Sequence, residues 1–187
     1  MLRVVTGASG SGKSRYAEDQ ILSLGSEKRY YIATMMPWDE ECRERIRRHR
    51  RMREGKGFET LECPLDLDQA RVEPGSAVLI ECLSNLTANE FFREDRDLQG
   101  REEWKRQTEE RIFAGILRIL DQAADVVVVT NEIFSDGTVY SRETMDYMEV
   151  LGRLNVRLAG MAKRVTEVVF GIPLEQKGPE REEGEVL

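Results

Sequence analysis

Residues 4–18 read VVTGASGSGKSRYAE, and the meaning of this stretch decides the fold. Gly7, Gly12, Lys13 and Ser14 satisfy G-x-x-x-x-G-K-S/T between a β-branched run, LRVVT at 2–6, and a helical pattern over about 13–24. Strand, glycine-rich turn and helix in that order make a phosphate loop. Gly7, Gly10 and Gly12 allow the tight backbone path that turns successive N–H groups inward, and the helix N-terminus adds partial positive charge. Lys13 is then placed to neutralise charge on a transferring phosphoryl group, and the Ser14 hydroxyl to hold Mg²⁺. A purine nucleoside triphosphate is the expected ligand. The reaction stays open on this motif alone.

Working outward, four further runs recur between helical patterns: RYYIAT at 29–34, SAVLIEC at 76–82, DVVVVTN at 125–131 and TEVVFGI at 166–172. Their near-continuous apolar character, without alternation, suits strands covered on both faces, and so predicts an α/β fold with a parallel sheet flanked by helices. Helices are expected over about 38–54, 84–95, 101–123 and 143–164. In the last, Met145, Met148, Leu151, Leu154, Leu158 and Met161 form one stripe at spacings of three and four, read as core packing.

The 187 residues suit one domain over 1–187, and 40% hydrophobic with 34% charged residues argues against general disorder. No apolar run approaches the ~20 residues of a membrane span. Met1 leads straight into LRVVTG without a signal-peptide pattern, so a cytoplasmic protein is expected. Cys42, Cys63 and Cys82 show no C-x-x-C spacing and read as reduced, structural residues. The end from about 175 to 187 is acidic, with little to bury, and reads as a flexible tail.

Net charge is −7, yet residues 43–56 carry eight Arg or Lys against two Glu, a local +6 that leaves −13 for the remainder. That asymmetry suits one small, highly charged anion better than a nucleic acid. The same segment, RERIRRHRRMRE at 43–54, holds the single histidine, His49. On a helix, Cys42, Ile46, His49 and Arg53 share a face with Arg45 and Met52 beside it, while Arg47, Arg48, Arg50 and Arg51 project sideways or outward. Neighbouring guanidinium groups disfavour the protonated imidazole, leaving a neutral nucleophile near neutral pH. They would also stabilise negative charge on a phosphate in transfer. Histidine can carry a phosphoryl or nucleotidyl group covalently. On the residues alone, a solvated basic helix, an RNA-binding arginine helix and a catalytic or nucleotide-binding helix all stay open. A small-molecule kinase with this helix as a lid, and a GTP-dependent RNA-binding module, remain the alternatives.

Carboxylates for the metal-bound triphosphate are sought at the ends of strands. Glu81 ends AVLIE and is the candidate for Mg²⁺ or nucleotide contact, because its strand is expected close to the loop. Glu132 follows VVVVTN and is an even choice between ligand contact and an ordinary strand-end role.

Taken in order, TGASGSGKSRYAE, YIAT, RIRRHRRMR, FETLECPLDL, VLIECLSNLTAN, VVVVTNE, GRLNVRLA and VVFGIPLEQKG span nearly the whole chain. In this the chain resembles the bifunctional adenosylcobinamide kinase / adenosylcobinamide-phosphate guanylyltransferase family of cobalamin biosynthesis. The resemblance implies a RecA-like P-loop fold, a homo-oligomer, and one nucleotide site serving two reactions. In one, a nucleoside triphosphate, ATP or GTP, phosphorylates the aminopropanol hydroxyl of adenosylcobinamide. In the other, a histidine that falls on His49 attacks the α-phosphate of GTP and carries GMP to the phosphorylated acceptor. The implied nucleotide contacts are Gly7, Ala8, Ser9, Gly10, Ser11, Gly12, Lys13 and Ser14, then Thr34, Met35 and Met36, then Arg50, Arg51 and Met52, with Glu62 and Glu81. The chain departs from the family pattern at NEIFSDGTVYS (131–141), where N-E-V-G-x-G-I-V-P is usual, and at Asn155-Val156, where N-Q is usual. Those positions are expected away from the nucleotide motifs, on the corrinoid side.

Overall fold

The computed structural model describes residues 1–93 and 100–178. Its strands are β1 (Leu2–Thr6), β2 (Arg29–Ala33), β3 (Phe58–Glu62), β4 (Ala77–Glu81), β5 (Asp125–Val129), β6 (Arg164–Val169) and β7 (Ile172–Lys177). Its helices are α1 (Lys13–Ser23), α2 (Glu40–Arg53), α3 (Leu83–Phe91), α4 (Arg101–Gln122) and α5 (Arg142–Met161). One sheet holds all these strands in the order β3-β2-β4-β5-β1-β6-β7, parallel except for β7, which pairs antiparallel with β6. The mostly parallel, RecA-like P-loop architecture follows.

Alternating side chains send each strand's apolar residues to both faces. Leu2, Val4, Ile32, Ile80, Val126 and Val128 meet Leu83 and Leu86 of α3, Ile112 and Ile116 of α4, and Leu151, Leu154 and Leu158 of α5. On the opposite face Val5, Tyr31, Leu79, Val127, Val129 and Val168 meet Ala17 and Ile21 of α1. A strand buried on both faces needs no polar alternation, which is why β4 is buried at every residue.

The structure departs from the sequence reading in several places. β3 is an edge strand whose FETLE pattern is half exposed, so it lacks the continuous apolar run that marks its neighbours. TEVVFGI is two strands: Phe170 (φ 49) and Gly171 (φ 80) turn the chain back between β6 and β7. Glu175 to Lys177 therefore belong to β7 and are held in the sheet; residues 179–187 of the expected tail lie outside the described residues. The helix expected over 84–95 runs over Leu83–Phe91, and its last expected positions, 94 and 95, also lie outside them. In α5 the middle of the apolar stripe is core, but Met145 and Met161 are exposed at its ends. Among the described residues, no helix is long and apolar enough to cross a membrane.

Candidate active site

At the carboxyl edge of the sheet the phosphate loop is held from two sides. The Gly7 carbonyl accepts the Glu132 N–H at 3.1 Å, and the Ser11 carbonyl accepts the Gly171 N–H at 2.8 Å. Gly7 sits at φ +152, and a Cβ there would lie 2.5 Å from the Val168 carbonyl oxygen. Gly12, with φ 93, caps α1. Lys13 lies back along the loop and donates to the Ala8 carbonyl at 3.0 Å. Burial lowers its pKa.

Helix α2 starts where the Asp39 carboxylate accepts the Cys42 N–H at 2.7 Å. Glu40 and Glu41 in its first turn, and Arg50, Arg51 and Arg53 in its last, complement the helix dipole. Two anchors fix its inner face. Arg53 is buried with its guanidinium 3.4 Å from the Tyr31 ring centroid on β2. Just beyond the helix, Lys56 pairs with the fully buried Glu18 of α1 at 2.5 Å.

Held this way, His49 points to the sheet edge, with Nδ1 3.7 Å from Glu81 Oε1. The same Glu81 oxygen accepts from the Ser14 hydroxyl. Imidazole, carboxylate and phosphate loop thereby converge on one oxygen of Glu81. Burial lowers the His49 pKa, and Arg53 and Arg48 push it the same way. Burial raises that of Glu81, opposed by its contact with Ser14. A hollow of about 360 Å³ is lined by Ser9 to Arg15, Met35, Arg45, Arg48, His49, Met52, Glu81, Cys82, Asn85 and Asn131.

Such a site, on such a sheet, invites comparison with known proteins. A family model described as cobinamide kinase / cobinamide phosphate guanyltransferase matches residues 3–176. The chain belongs to this family. The bifunctional adenosylcobalamin biosynthesis protein CobU of Escherichia coli is 35% identical, over 95% of this chain and 100% of that protein. CobU of Salmonella typhimurium is 34% identical over the same shares, and CobP of Pseudomonas aeruginosa is 30% identical over 95% and 98%. Among solved structures, the flagellar accessory protein FlaH of Methanocaldococcus jannaschii has a TM-score of 0.49 at 10% identity, covering 95% of this chain and 78% of that one.

For a member of the cobinamide kinase / guanyltransferase family, the expected residues divide in two. Ser9 to Ser14 of the phosphate loop, Met35, His49, Met52 and Glu81 meet in the hollow, whereas Gly7 and Ala8 do not line it. Thr34 does not: it is fully buried, its hydroxyl donating to the Cys82 carbonyl at 2.9 Å and accepting the Cys82 N–H at 2.7 Å, so it splints β2 to β4. Met36 faces a separate hollow with Trp38 and Phe92. Arg50 pairs with Glu62 at 2.8 Å on the surface, and the exposed Arg51 lines an adjoining open hollow with Glu44 and Arg47. Arg48, expected to point away, lines the hollow beside His49.

β4 lies close to the loop as expected: β5 separates it from β1, but α1 crosses over β4 and β5 and carries Ser14 to Glu81. The Glu132 carboxylate accepts from the Phe134 N–H and the Ser135 hydroxyl, so it folds its own loop. NEIFSDGTVYS begins beside the phosphate loop, where Asn131 lines the hollow and the Glu132 N–H binds Gly7, whereas Phe134, in place of the family's glycine, and Val156 line a separate hollow on α5, away from the nucleotide motifs as expected. Asn85 and Asn131 escaped the sequence reading, although residues just past β4 and β5 lie at the edge where such sheets bind ligands.

Glu81 Oε2 is buried without a hydrogen-bond partner, next to the Ser14 hydroxyl. A carboxylate oxygen and a hydroxyl, without a cluster of three or more His, Cys, Asp or Glu among the described residues, fit Mg²⁺, which takes few protein ligands and completes its shell with phosphate and water.

Proposed function

We propose that this chain carries out both transfers of its family at the one hollow: phosphorylation of the aminopropanol hydroxyl of adenosylcobinamide, then transfer of GMP from GTP through His49. The observation that carries the reading is the shared contact of Glu81, which accepts from Ser14 in the phosphate loop and faces His49 Nδ1 at 3.7 Å. A histidine this close to the phosphate loop is within reach of a bound triphosphate. Its lowered pKa favours the neutral form that a nucleophile needs.

In the kinase step the loop N–H groups orient the triphosphate, and Lys13 turns from the Ala8 carbonyl to the phosphates, stabilising charge on the transferring group. In the nucleotidyl step Arg45 and Arg48, in the same hollow, stabilise the charge at the α-phosphate and on the departing pyrophosphate. Mg²⁺, held by Ser14 and Glu81, would supply charge neutralisation at the phosphate oxygens. GTP serves the nucleotidyl step, and ATP or GTP the kinase step. Homo-oligomer assembly belongs to the same reading, since β7 ends the sheet with Ile172 and Leu174 exposed.

Incubation with Mg²⁺ and GTP labelled at the α-phosphate tests this directly. The expected product is an acid-labile, base-stable GMP adduct, seen also by intact mass, that His49→Ala abolishes. An adduct that survives His49→Ala, or no adduct on the native chain, overturns the GMP step.

A further inference from the structure

The fold treats the two ring nitrogens of His49 differently. Nδ1 is buried and has no hydrogen-bond partner, and it faces Glu81 Oε1 at 3.7 Å. The side chain is nevertheless 18% exposed and lines the hollow beside Lys13 and Ser14. With Nδ1 turned to Glu81, Nε2 is the ring nitrogen left for the hollow, and it is not among the buried, unpartnered atoms.

A neutral imidazole has one N–H and one lone pair, and a carboxylate can only accept. Opposite Glu81 the proton therefore belongs on Nδ1, which leaves the lone pair on Nε2. The separation exceeds the ~3 Å of a formed hydrogen bond, as is common before substrate tightens a catalytic site. Glu81 is well placed to wait there. It ends a strand buried throughout, it is 8% exposed, and its Oε1 is already fixed by Ser14. Its second oxygen, Oε2, is buried without a hydrogen-bond partner.

We infer that GMP is carried on Nε2 of His49, and that Glu81 is the positioning residue that keeps the proton on Nδ1. The inference rests on the GMP transfer proposed above. In the first step the Nε2 lone pair attacks the α-phosphorus of GTP. The Nε2–P bond forms, the bond from that phosphorus to the bridging oxygen breaks, and pyrophosphate leaves with the electron pair. The positive charge gained by the ring is shared with Nδ1–H, opposite the Glu81 carboxylate. In the second step a phosphate oxygen of the acceptor attacks the same phosphorus, and the Nε2–P electron pair returns to the ring. Nδ1 keeps its proton throughout, as a histidine does when a carboxylate fixes its tautomer.

His49 is the only histidine in the chain, so in untagged, full-length protein labelled with ¹⁵N-histidine every imidazole signal comes from it. Correlation spectra of the resting protein should show the proton on Nδ1. After GTP and Mg²⁺ are added, ³¹P coupling should appear at Nε2. Phosphorus on Nδ1, or a resting proton on Nε2, overturns the inference. Absence of any adduct counts against the GMP step instead, and the resting tautomer still decides the role of Glu81. In Glu81→Ala the resting signals should become a mixture of both tautomers; an unchanged Nδ1–H signal would show that Glu81 does not hold it.

Discussion

In the proposed GMP transfer, the burial of His49 gives adduct formation a pH signature. Burial, Arg53 and Arg48 all lower its pKa below the ordinary 6.5. Adduct formation should therefore hold level as pH falls from 7.5 to 6.5 and decline only below that value. Initial rates of GMP incorporation across pH 5 to 8 check this, and a decline centred above 6.5 would contradict the burial argument. The same shift acts on stability: the unfolded chain takes up this proton at a higher pH than the folded one, so the contribution is present above 6.5 and lost as pH falls through it. At this scale the sequence showed which side chains have chemistry but not where neighbours point. Helical spacing turned His49 inward correctly, since 3.6 residues per turn fixes a face. It sent Arg48 outward because a face says nothing of how a long, flexible side chain curls back to a nearby cavity.

Among the elements, α2 does most to assemble the site, yet it packs little apolar surface: Arg53 is its one buried residue. Its position depends on polar anchors, Arg53 against Tyr31 and Lys56 against Glu18. Lys56→Ala would leave the Glu18 carboxylate fully buried without its partner, and loss of one member of a buried pair costs about 3 kcal/mol. Urea titration should show that loss, and the rate of GMP adduct formation should fall with it because the end of α2 is no longer tied to α1. Stability and adduct rate both unchanged would mean that the pair anchors nothing. By contrast Arg50→Ala removes only an exposed pair with Glu62, worth less than about 1 kcal/mol. The elements most legible in the sequence were those covered on both faces, β1, β2, β4 and β5, whose burial demands continuous apolar runs. β3 and β7 lie at the two edges of the sheet, where one-sided or absent cover removes that demand.

Across the whole molecule, the sheet separates a thin layer that carries the phosphate-loop helix from a thick supporting one. α1, which carries Lys13 and Ser14, covers one face through Ala17 and Ile21, whereas α3, α4 and α5 fill the other. Ile21 and Leu154 are both fully buried, one in each layer. Truncation to alanine should cost about 2–5 kcal/mol at either site, through lost burial and the cavity left behind. Their effects on ligand binding should differ. Ile21→Ala loosens the seat of the helix whose N-terminus forms the phosphate loop, so affinity for a non-hydrolysable GTP analogue should drop together with the melting temperature. Leu154→Ala empties space on the far side of the sheet, so it should lower the melting temperature and leave that affinity within about twofold, as expected when sites share no partners. Calorimetric titration of both variants, below their melting ranges, separates the outcomes. If Leu154→Ala weakens binding as much as Ile21→Ala, the sheet transmits core strain to the loop, and the two layers act as one.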